Sequence, residues 1–191
     1  MIKDIFKVGI YIKDLNCDLA QLKDFTLWLE KNETGNKLSN LSGYQSQNLL
    51  KSLDVIKPLI EKLDKNVETY CGLLKIKGGL KLSNIWVNIN RFKDSNRMHK
   101  HPSSIISGVF YVKAPKNCGN ISYETLNTIE DYWTPDDTID YNEYNSPGWT
   151  IPATENQCIL FPSWLNHMVR PNLNETEERI SFSFNYNYDG I

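Results

Sequence analysis

The sequence contains few histidines, arginines and cysteines. Its 191 residues include three histidines, and only four of its 21 basic residues are arginines. The four cysteines, Cys17, Cys71, Cys118 and Cys158, are widely scattered and form no Cys-x-x-Cys motif. Each histidine and arginine therefore stands out from the background composition.

Long apolar runs and a strong charge imbalance are also missing. No stretch approaches the roughly 20 apolar residues that a membrane span needs, and Lys3, Asp4 and Lys7 interrupt the N-terminal apolar run, so we expect no signal peptide. We therefore predict a cytoplasmic protein with reduced thiols. The net charge of −2 gives no case for binding nucleic acid or an anionic membrane.

The first part of the chain has the periodicity of helices. Residues 5–12 are predicted to form a strand, residues 32–48 a polar loop, and residues 50–72 a helix. A preceding helix is predicted to begin at Asn16 as its N-cap. The expected buried stripes of the two helices are Leu19, Leu22, Phe25 and Leu29, and Leu59, Leu63, Val67 and Tyr70.

The periodicity changes to that of short strands after Gly78-Gly79. The predicted strands cover residues 81–91, 105–113, 120–126, 148–153, 157–161 and 179–187. Helices followed by a run of strands indicate a mainly β, α+β fold, with a barrel or sandwich packed against helices on one face. We expect one domain over residues 1–191, with supporting elements in 1–79 and the β core in 80–191.

The last predicted strand has two different faces. Arg179, Ser181, Ser183 and Asn185 share one face, and Ile180, Phe182, Phe184 and Tyr186 share the other. If Arg179 holds a ligand, its face must line a polar cavity and the aromatic face must pack under the helices. Both faces would then be buried.

Residues 127–147 form a long acidic segment with six Asp or Glu residues and no basic residue. A solvated surface loop is the simpler interpretation. Because long loops in compact domains are often functional, a lid over the active site is the alternative.

All three histidines fall where one mononuclear metal site needs them. In an extended segment His99 and His101 would point to the same face, and His167 follows far downstream. Three ligands on one side leave open positions, as catalytic metals require. Neutral imidazoles suit iron, zinc, copper or nickel, so the ligands alone do not identify the metal. Ordinary surface histidines are the alternative interpretation.

The chain resembles the 2-oxoglutarate- and Fe(II)-dependent oxygenases of the double-stranded β-helix (jelly-roll, cupin-like) fold, and within them a family of small oxygenases from bacteria and phages. The resemblance rests on five segments: residues 86–90, His99-Lys100-His101-Pro102, residues 107–112, Phe161-Pro162-Ser163-Trp164-Leu165-Asn166-His167, and residues 179–185. It implies iron bound by His99, His101 and His167, with 2-oxoglutarate and O2 as co-substrates.

The sequence departs from the wider superfamily at His101, where a carboxylate is usual. Three histidine ligands are the favoured interpretation, and a carboxylate from Asp94 or Glu124, with His101 outside the coordination sphere, is the alternative. Lys93 replaces a turn glycine of the family, which costs little if its φ is negative. Trp86 and Trp164 are expected in the core.

The resemblance also assigns the co-substrate pocket. Arg179 is expected to hold the C5 carboxylate of 2-oxoglutarate with its fork of donors, and Ser181 to add a hydroxyl. Asn88 is expected to contact the co-substrate, and Tyr111 is a weaker candidate for the C5 carboxylate. A surface ion pair of Arg179 with Glu177 or Glu178 is the alternative.

These residues predict a dioxygenase that oxidises an unidentified substrate and releases succinate and CO2. A three-His dioxygenase of cupin type that does not use 2-oxoglutarate, or a non-catalytic binding protein on the same fold, are the alternatives. We expect the substrate to be a small molecule or a protein side chain rather than nucleic acid, expect no membrane partner, and allow for a homodimer.

Overall fold

The computed structural model describes residues 1–3, 5, 7–51, 53–124 and 138–188, with residues 51 and 53 described by their backbone alone. Within these ranges there are two α-helices, a short 3-10 turn at Leu49–Lys51, and ten strands. The helices are α1 (Leu19–Asn32) and α2 (Leu53–Leu74). The strands are β1 (Tyr11–Asp14), β2 (Tyr44–Gln45), β3 (Lys81–Asn90), β4 (Asn96–His99), β5 (Ile106–Lys113), β6 (Ile121–Glu124), β7 (Gly148–Ile151), β8 (Gln157–Pro162), β9 (His167–Val169) and β10 (Arg179–Asn187).

The strands form two antiparallel sheets that face each other. The large sheet has the order β1-β8-β5-β10-β3-β2, and the small sheet has the order β4-β9-β6-β7. Side chains of both sheets, including Val109, Ile121 and Phe161, meet in a buried cluster between them. The predicted mainly β fold with N-terminal helices is confirmed, as two open sheets rather than a closed barrel.

The helices cover the outer face of the large sheet. Their predicted stripes are buried or partly buried and belong to one hydrophobic cluster with the outward-facing residues of β3, β5 and β10. On β10 the predicted alternation holds: Ile180, Phe182, Phe184 and Tyr186 lie in this cluster. The opposite face of the strand, which begins with Arg179 and Ser181, lines a cavity between the sheets.

Two predictions near the N-terminus are wrong. The strand predicted at residues 5–12 is instead β1, which begins at Tyr11. In the structure Tyr11 lies opposite Leu160 of β8, and the pairing extends no further. The reason is that β8 ends at Pro162, which has no backbone N–H to continue the ladder. The N-cap of α1 is Asp18, whose Oδ1 accepts the backbone N–H groups of Ala20 and Gln21. Asn16 lies in the preceding turn at φ 50°.

Part of the acidic segment lies outside the described residues, namely 127–137, as do residues 125–126 of the predicted strand 120–126. In the described remainder, 138–147, Tyr141 and Tyr144 are exposed. The lid therefore stays a prediction. All four cysteine thiols are free, as expected. Neither α1 nor α2 has the length and apolar character that crossing a membrane requires, and these are the helices of the described residues.

Candidate active site

The three histidines meet at the cavity between the two sheets. His99 ends β4 and lies directly opposite His167 at the start of β9. The ligand atoms of His99, His101 and His167 all lie within 4.8 Å of one another. The Nε2 atoms of His101 and His167 are 3.3 Å apart. Two nitrogens at about 2.1 Å from one metal ion, in tetrahedral or octahedral geometry, would be separated by about 3.0–3.4 Å, so this spacing fits a shared ion.

Two of the rings are oriented by backbone carbonyls. The Nδ1 of His99 is 2.7 Å from the carbonyl oxygen of Arg97, and the Nδ1 of His167 is 2.9 Å from that of Leu165. An N–H at Nδ1 that donates to these oxygens leaves the Nε2 lone pair free for a metal. Each carbonyl lies two residues before its histidine, so the local backbone alone selects the tautomer that binds metal.

The environment keeps the imidazoles neutral. Burial, followed by the charge of His99, lowers the pKa of His167 to about 3 and that of His101 to about 4. Burial also lowers the pKa of His99. Metal ligation needs the neutral form, so the site favours the protonation state that binds metal near neutral pH.

The structure corrects how the His pair is held. Only His99 belongs to a strand, because its antiparallel partner β9 begins at His167, opposite His99, and β4 therefore ends there. His101 lies in the following loop, where its backbone N–H donates to the carbonyl oxygen of Ser163 at 2.9 Å. The three side chains still converge, with ring centroids 4.3–5.1 Å apart.

Neither alternative carboxylate joins the cluster. Among the described residues, the three histidines form the one group of His, Cys, Asp or Glu with metal-binding spacing. Asp94 Oδ2 accepts the backbone N–H of Arg91 at 2.7 Å. Glu124 is exposed at the end of β6. The geometry therefore favours three histidines over a set that includes either carboxylate.

Arg179 lies at the other end of the cavity and is buried, with 1% of its surface exposed. Its Nη1 donates to the carbonyl oxygens of Cys118, Gly119 (3.1 Å) and Arg170 (3.3 Å). Its Nη2 has no hydrogen-bond partner. The surface ion pair is not formed: Glu177 and Glu178 pair with Lys113 instead.

No carboxylate among the described residues forms an ion pair with Arg179, and Asp94 acts on it only at longer range. Burial lowers the pKa of Arg179, opposed by Tyr111 and Cys118. A buried guanidinium is costly unless it is paired and hydrogen-bonded. This end of the cavity is therefore complementary to an anion.

A glycine allows the chain to pack closely beneath the guanidinium. Gly119 has φ +84°, and a Cβ at this position would collide with the carbonyl oxygen of Arg170 and lie 2.7 Å from Arg179 Nη1. Only glycine adopts this backbone conformation without strain and also leaves space for the contact. Lys93 has φ 69°, so the condition under which a lysine replaces the family's turn glycine at little cost is not met.

The other predicted co-substrate residues form a row across the large sheet. Ser181 on β10 lies opposite Asn88 on β3 and opposite Tyr111 on β5, and all three line the cavity. The Tyr111 hydroxyl and Asn88 Oδ1 are buried without a hydrogen-bond partner. Together with Arg179 Nη2, they are unsatisfied polar atoms next to one cavity, a pattern that fits a polar ligand.

Sequence reasoning missed several residues around the cavity. Ser39 and Asn96 line it, and Asn96 Nδ2 donates to Ser39 Oγ at 3.1 Å; no motif marks either residue. Trp86, which was expected in the core, is instead half-buried, lines the cavity and stacks on His101 with ring centroids 5.8 Å apart. Trp164 is 47% exposed, so the expectation that it lies in the core is wrong.

Comparison with solved structures finds the same fold in 2-oxoglutarate-dependent enzymes. The epimerase SnoN from nogalamycin biosynthesis, solved with Fe3+ and α-ketoglutarate, matches with a TM-score of 0.71 and 13% identity over 95% of this chain and 79% of its own. A Pseudomonas putida prolyl-4-hydroxylase matches with a TM-score of 0.64 and 12% identity over 96% of this chain and 94% of its own.

HygX from Streptomyces hygroscopicus, solved with nickel and 2-oxoglutarate, matches with a TM-score of 0.64 and 10% identity over 96% of this chain and 84% of its own. At such identities the likeness shows the double-stranded β-helix fold. No curated protein sequence matches the chain.

The sequence of the β core identifies the family to which the chain belongs. The family model described as "Putative 2OG-Fe(II) oxygenase" matches residues 84–185, more than half of the chain, so the chain belongs to this family. It is therefore an enzyme of the 2-oxoglutarate- and Fe(II)-dependent oxygenase class, with iron and 2-oxoglutarate as its cofactor and co-substrate.

Proposed function

We propose that His99, His101 and His167 bind the catalytic iron through Nε2, and that Arg179 anchors the C5 carboxylate of 2-oxoglutarate. The observation that supports this proposal is that two groups line one cavity: three neutral imidazoles at metal-binding distances, and a buried guanidinium whose Nη2 has no hydrogen-bond partner. 2-Oxoglutarate satisfies both, because its 2-oxo acid end chelates a metal and its far end is a carboxylate.

Three residues on the row across the large sheet would complete the co-substrate site. Ser181 and the unpartnered Tyr111 hydroxyl would donate to the C5 carboxylate beside Arg179. Asn88 Nδ2 donates to Ser183 Oγ at 3.0 Å, and Asn88 Oδ1 has no hydrogen-bond partner. Its amide would orient 2-oxoglutarate between the anchor and the metal. When bound, iron and 2-oxoglutarate activate O2 for substrate oxidation, with release of succinate and CO2.

We further propose that the substrate is a small molecule or a protein side chain. The net charge of −2 disfavours nucleic acid, and similarly folded enzymes include an antibiotic-pathway epimerase and prolyl hydroxylases. We also propose that residues 1–191 form one oxygenase domain, because the helices share one hydrophobic cluster with the β core. The four free thiols support a cytoplasmic location. The homodimer stays a prediction.

Turnover of the co-substrate tests this function. The protein is loaded anaerobically with Fe(II) and 2-oxoglutarate at equal concentrations. It is then exposed to 18O2, and the succinate that forms is measured by mass spectrometry. We expect succinate that carries one 18O atom from wild type and none above background from His167→Ala. Unconsumed 2-oxoglutarate with both proteins would contradict the proposal. Oxidation of a candidate substrate without succinate would favour a three-His dioxygenase that does not use 2-oxoglutarate.

A further inference from the structure

The cavity reaches solvent beside the histidine cluster. Most of its lining residues are buried, and the half-buried ones that mark the opening are Ser39, Trp86, His99, His101, Val169 and Ser183. Trp86 on β3 lies directly opposite Ser183 on β10. The Trp86 ring stacks on His101, with centroids 5.8 Å apart and 21° between the ring planes. A substrate that enters here therefore meets the indole of Trp86 next to the histidines.

The cavity offers a substrate no charged partner. Among the described residues that line it there is no Asp, Glu or Lys, and the one permanently charged side chain, Arg179, is assigned to the C5 carboxylate of 2-oxoglutarate. A charged substrate group would leave water without a partner of opposite charge, which is unfavourable. The flat face of Trp86 instead suits the apolar face of a ring.

Asn88 gives a second, independent observation. It lies two residues after Trp86 on the same face of β3, about 7 Å along the strand, and it lines the cavity with 6% of its surface exposed. Its Nδ2 donates to Ser183 Oγ at 3.0 Å, and its Oδ1 has no hydrogen-bond partner. A buried carbonyl oxygen without a donor is costly, so Oδ1 requires a donor from a ligand.

2-Oxoglutarate is not that donor. Its carboxylates are ionised near neutral pH and its oxo group carries no hydrogen, so all of its polar atoms accept hydrogen bonds. It satisfies the donors at the Tyr111 hydroxyl and Arg179 Nη2, and the second hydrogen of Asn88 Nδ2 can still orient it. Asn88 Oδ1 remains unsatisfied when the co-substrate is bound, which leaves this acceptor for a different ligand.

We propose that Trp86 and Asn88 recognise the substrate. The indole of Trp86 packs against an uncharged ring of the substrate, and Asn88 Oδ1 accepts a hydrogen bond from an N–H or O–H group on that ring. This inference rests on the proposed function, because it assigns the other two unpartnered groups of the cavity to 2-oxoglutarate. The substrate class is thus a neutral ring that carries a hydrogen-bond donor, either a lactam or a cyclic alcohol.

The test is the binding of small ring compounds to the protein loaded with Zn(II) and 2-oxoglutarate, since Zn(II) in place of Fe(II) prevents turnover. Two pairs of compounds differ in the donor: 2-pyrrolidinone and γ-butyrolactone for N–H, and cyclopentanol and cyclopentanone for O–H. Pyrrolidine, a cation at neutral pH, and cyclopentanecarboxylate, an anion, are the charged rings. 1H–15N spectra of the Trp86 indole and the Asn88 side-chain amide give the Kd of each compound.

We expect the donor-bearing member of at least one pair to bind about 2- to 12-fold more tightly than its partner, the effect of one hydrogen bond, and to shift both resonances. A preference for 2-pyrrolidinone would indicate an amide N–H in the substrate, and a preference for cyclopentanol a hydroxyl. Both charged rings should bind more weakly than the preferred neutral ring.

Three variants separate the two contacts. Asn88→Ala should remove the preference within the pair, measured at the Trp86 indole. Trp86→Leu should weaken the binding of all four neutral rings, measured at the Asn88 amide. Trp164→Leu changes an exposed tryptophan that does not line the cavity, so it is the matched control and should bind as wild type does.

Equal binding within both pairs by wild type would mean that water satisfies Asn88 Oδ1, and would overturn the inference. So would tighter binding of a charged ring, or a failure of every ring to shift the Trp86 and Asn88 resonances. These comparisons use wild type alone and do not depend on the folding of a variant. Failure of the proposed function looks different: the Zn(II)-loaded protein would not bind 2-oxoglutarate, whereas ring binding at Trp86 could still be measured.

Discussion

The two faces of the large sheet are both buried, yet they do different things. The outer face, exemplified by Phe182, is apolar and packs in one hydrophobic cluster with α1 and α2. The inner face carries Arg179, Tyr111 and Asn88, each with a buried polar atom that has no partner. Burial alone therefore does not distinguish core from site. What distinguishes the site is that three unpartnered polar atoms belong to residues lining one cavity, whereas the hydroxyls of Tyr44 and Tyr123, which are also buried without a partner, belong to residues that do not line it.

This contrast implies that mutations on the two faces affect different measurements. Loss of an outer-face side chain leaves a cavity and lowers the free energy of unfolding. Loss of an unsatisfied inner-face group removes nothing that stabilises the metal-free protein, and can even relieve a desolvation cost. Its effect should be seen in ligand affinity. The loss of unfolding free energy and the loss of ligand affinity can therefore be measured separately at adjacent residues of one strand.

The largest effect is expected at the metal site that faces the inner side of the sheet. His167→Ala removes one of three imidazoles from a buried cluster, so stoichiometric Fe(II) binding, measured anaerobically by titration, should be abolished. Met168→Ala, which changes the adjacent residue of β9 on its other face, is the control and should bind Fe(II) as wild type does. Full binding by His167→Ala would show that the ion lies elsewhere.

His101→Ala sharpens the same prediction for the ligand in the loop. It should weaken Fe(II) binding and abolish turnover while the protein stays folded, since His101 is at the cavity and not in the outer cluster. Unchanged affinity and activity would rule out the three-His set, and a carboxylate ligand would then have to be sought in the chain.

On the outer face, Phe182→Ala should lower the free energy of unfolding by about 3–5 kcal/mol, because a fully buried phenylalanine under the helices leaves a cavity. Urea denaturation measures this change. The adjacent Ser181→Ala should cost much less stability. Below the unfolding transition, Phe182→Ala should bind Fe(II) and 2-oxoglutarate with wild-type affinity; a large loss of affinity in the folded variant would contradict the separation of the two faces.

On the inner face, Tyr111→Phe should leave stability unchanged or slightly raised, since the lost hydroxyl has no partner in the metal-free protein. Affinity for 2-oxoglutarate should fall by about 0.5–1.5 kcal/mol, roughly 2- to 12-fold. Tyr123→Phe is a matched control, because its hydroxyl is also buried and unpartnered but it is not among the residues lining the cavity. If Tyr111→Phe and Tyr123→Phe lowered the affinity for 2-oxoglutarate equally, Tyr111 would have no specific contact with the co-substrate.

Much of this fold could be predicted from periodicity. The alternation in β10 and the stripes of α1 and α2 were correctly predicted, because burial of one face imposes a regular pattern. The strands β4 and β9 were missed, since neither of these short sequences alternates between polar and apolar residues. The N-terminal strand was misplaced because apolar residues such as Ile5 and Val8 are exposed there.

The site could be predicted only in part. The spacing of His99 and His101 indicated a ligand pair, but not that β4 ends at His99 and leaves His101 in a loop. The hydrogen-bond chain of Ser163, Ser107 and Asn185 joins residues 56 and 78 positions apart, and no local pattern encodes such contacts. Likewise, Lys93 has a positive φ and its backbone N–H donates to the carbonyl oxygen of Asn172, a residue distant in sequence.

The most direct test of the account compares two ligands at the Arg179 end of the cavity. 2-Oxopentanoate has the same chelating end as 2-oxoglutarate but a methyl group in place of the C5 carboxylate. Both are titrated anaerobically into Fe(II)-loaded wild type, Arg179→Ala and Arg179→Lys. Because each comparison is made within one protein, a loss of folded material affects both ligands equally.

Wild type should prefer 2-oxoglutarate by about 2–4 kcal/mol, roughly 30- to 1000-fold, the value of a charge-assisted bidentate contact in a buried pocket. Arg179→Ala should bind the two ligands almost equally, with unchanged Fe(II) affinity, and Arg179→Lys should recover only part of the preference because an ammonium lacks the two parallel donors. Equal binding of both ligands by wild type, or a preference that persists in Arg179→Ala, would contradict Arg179 as the anchor.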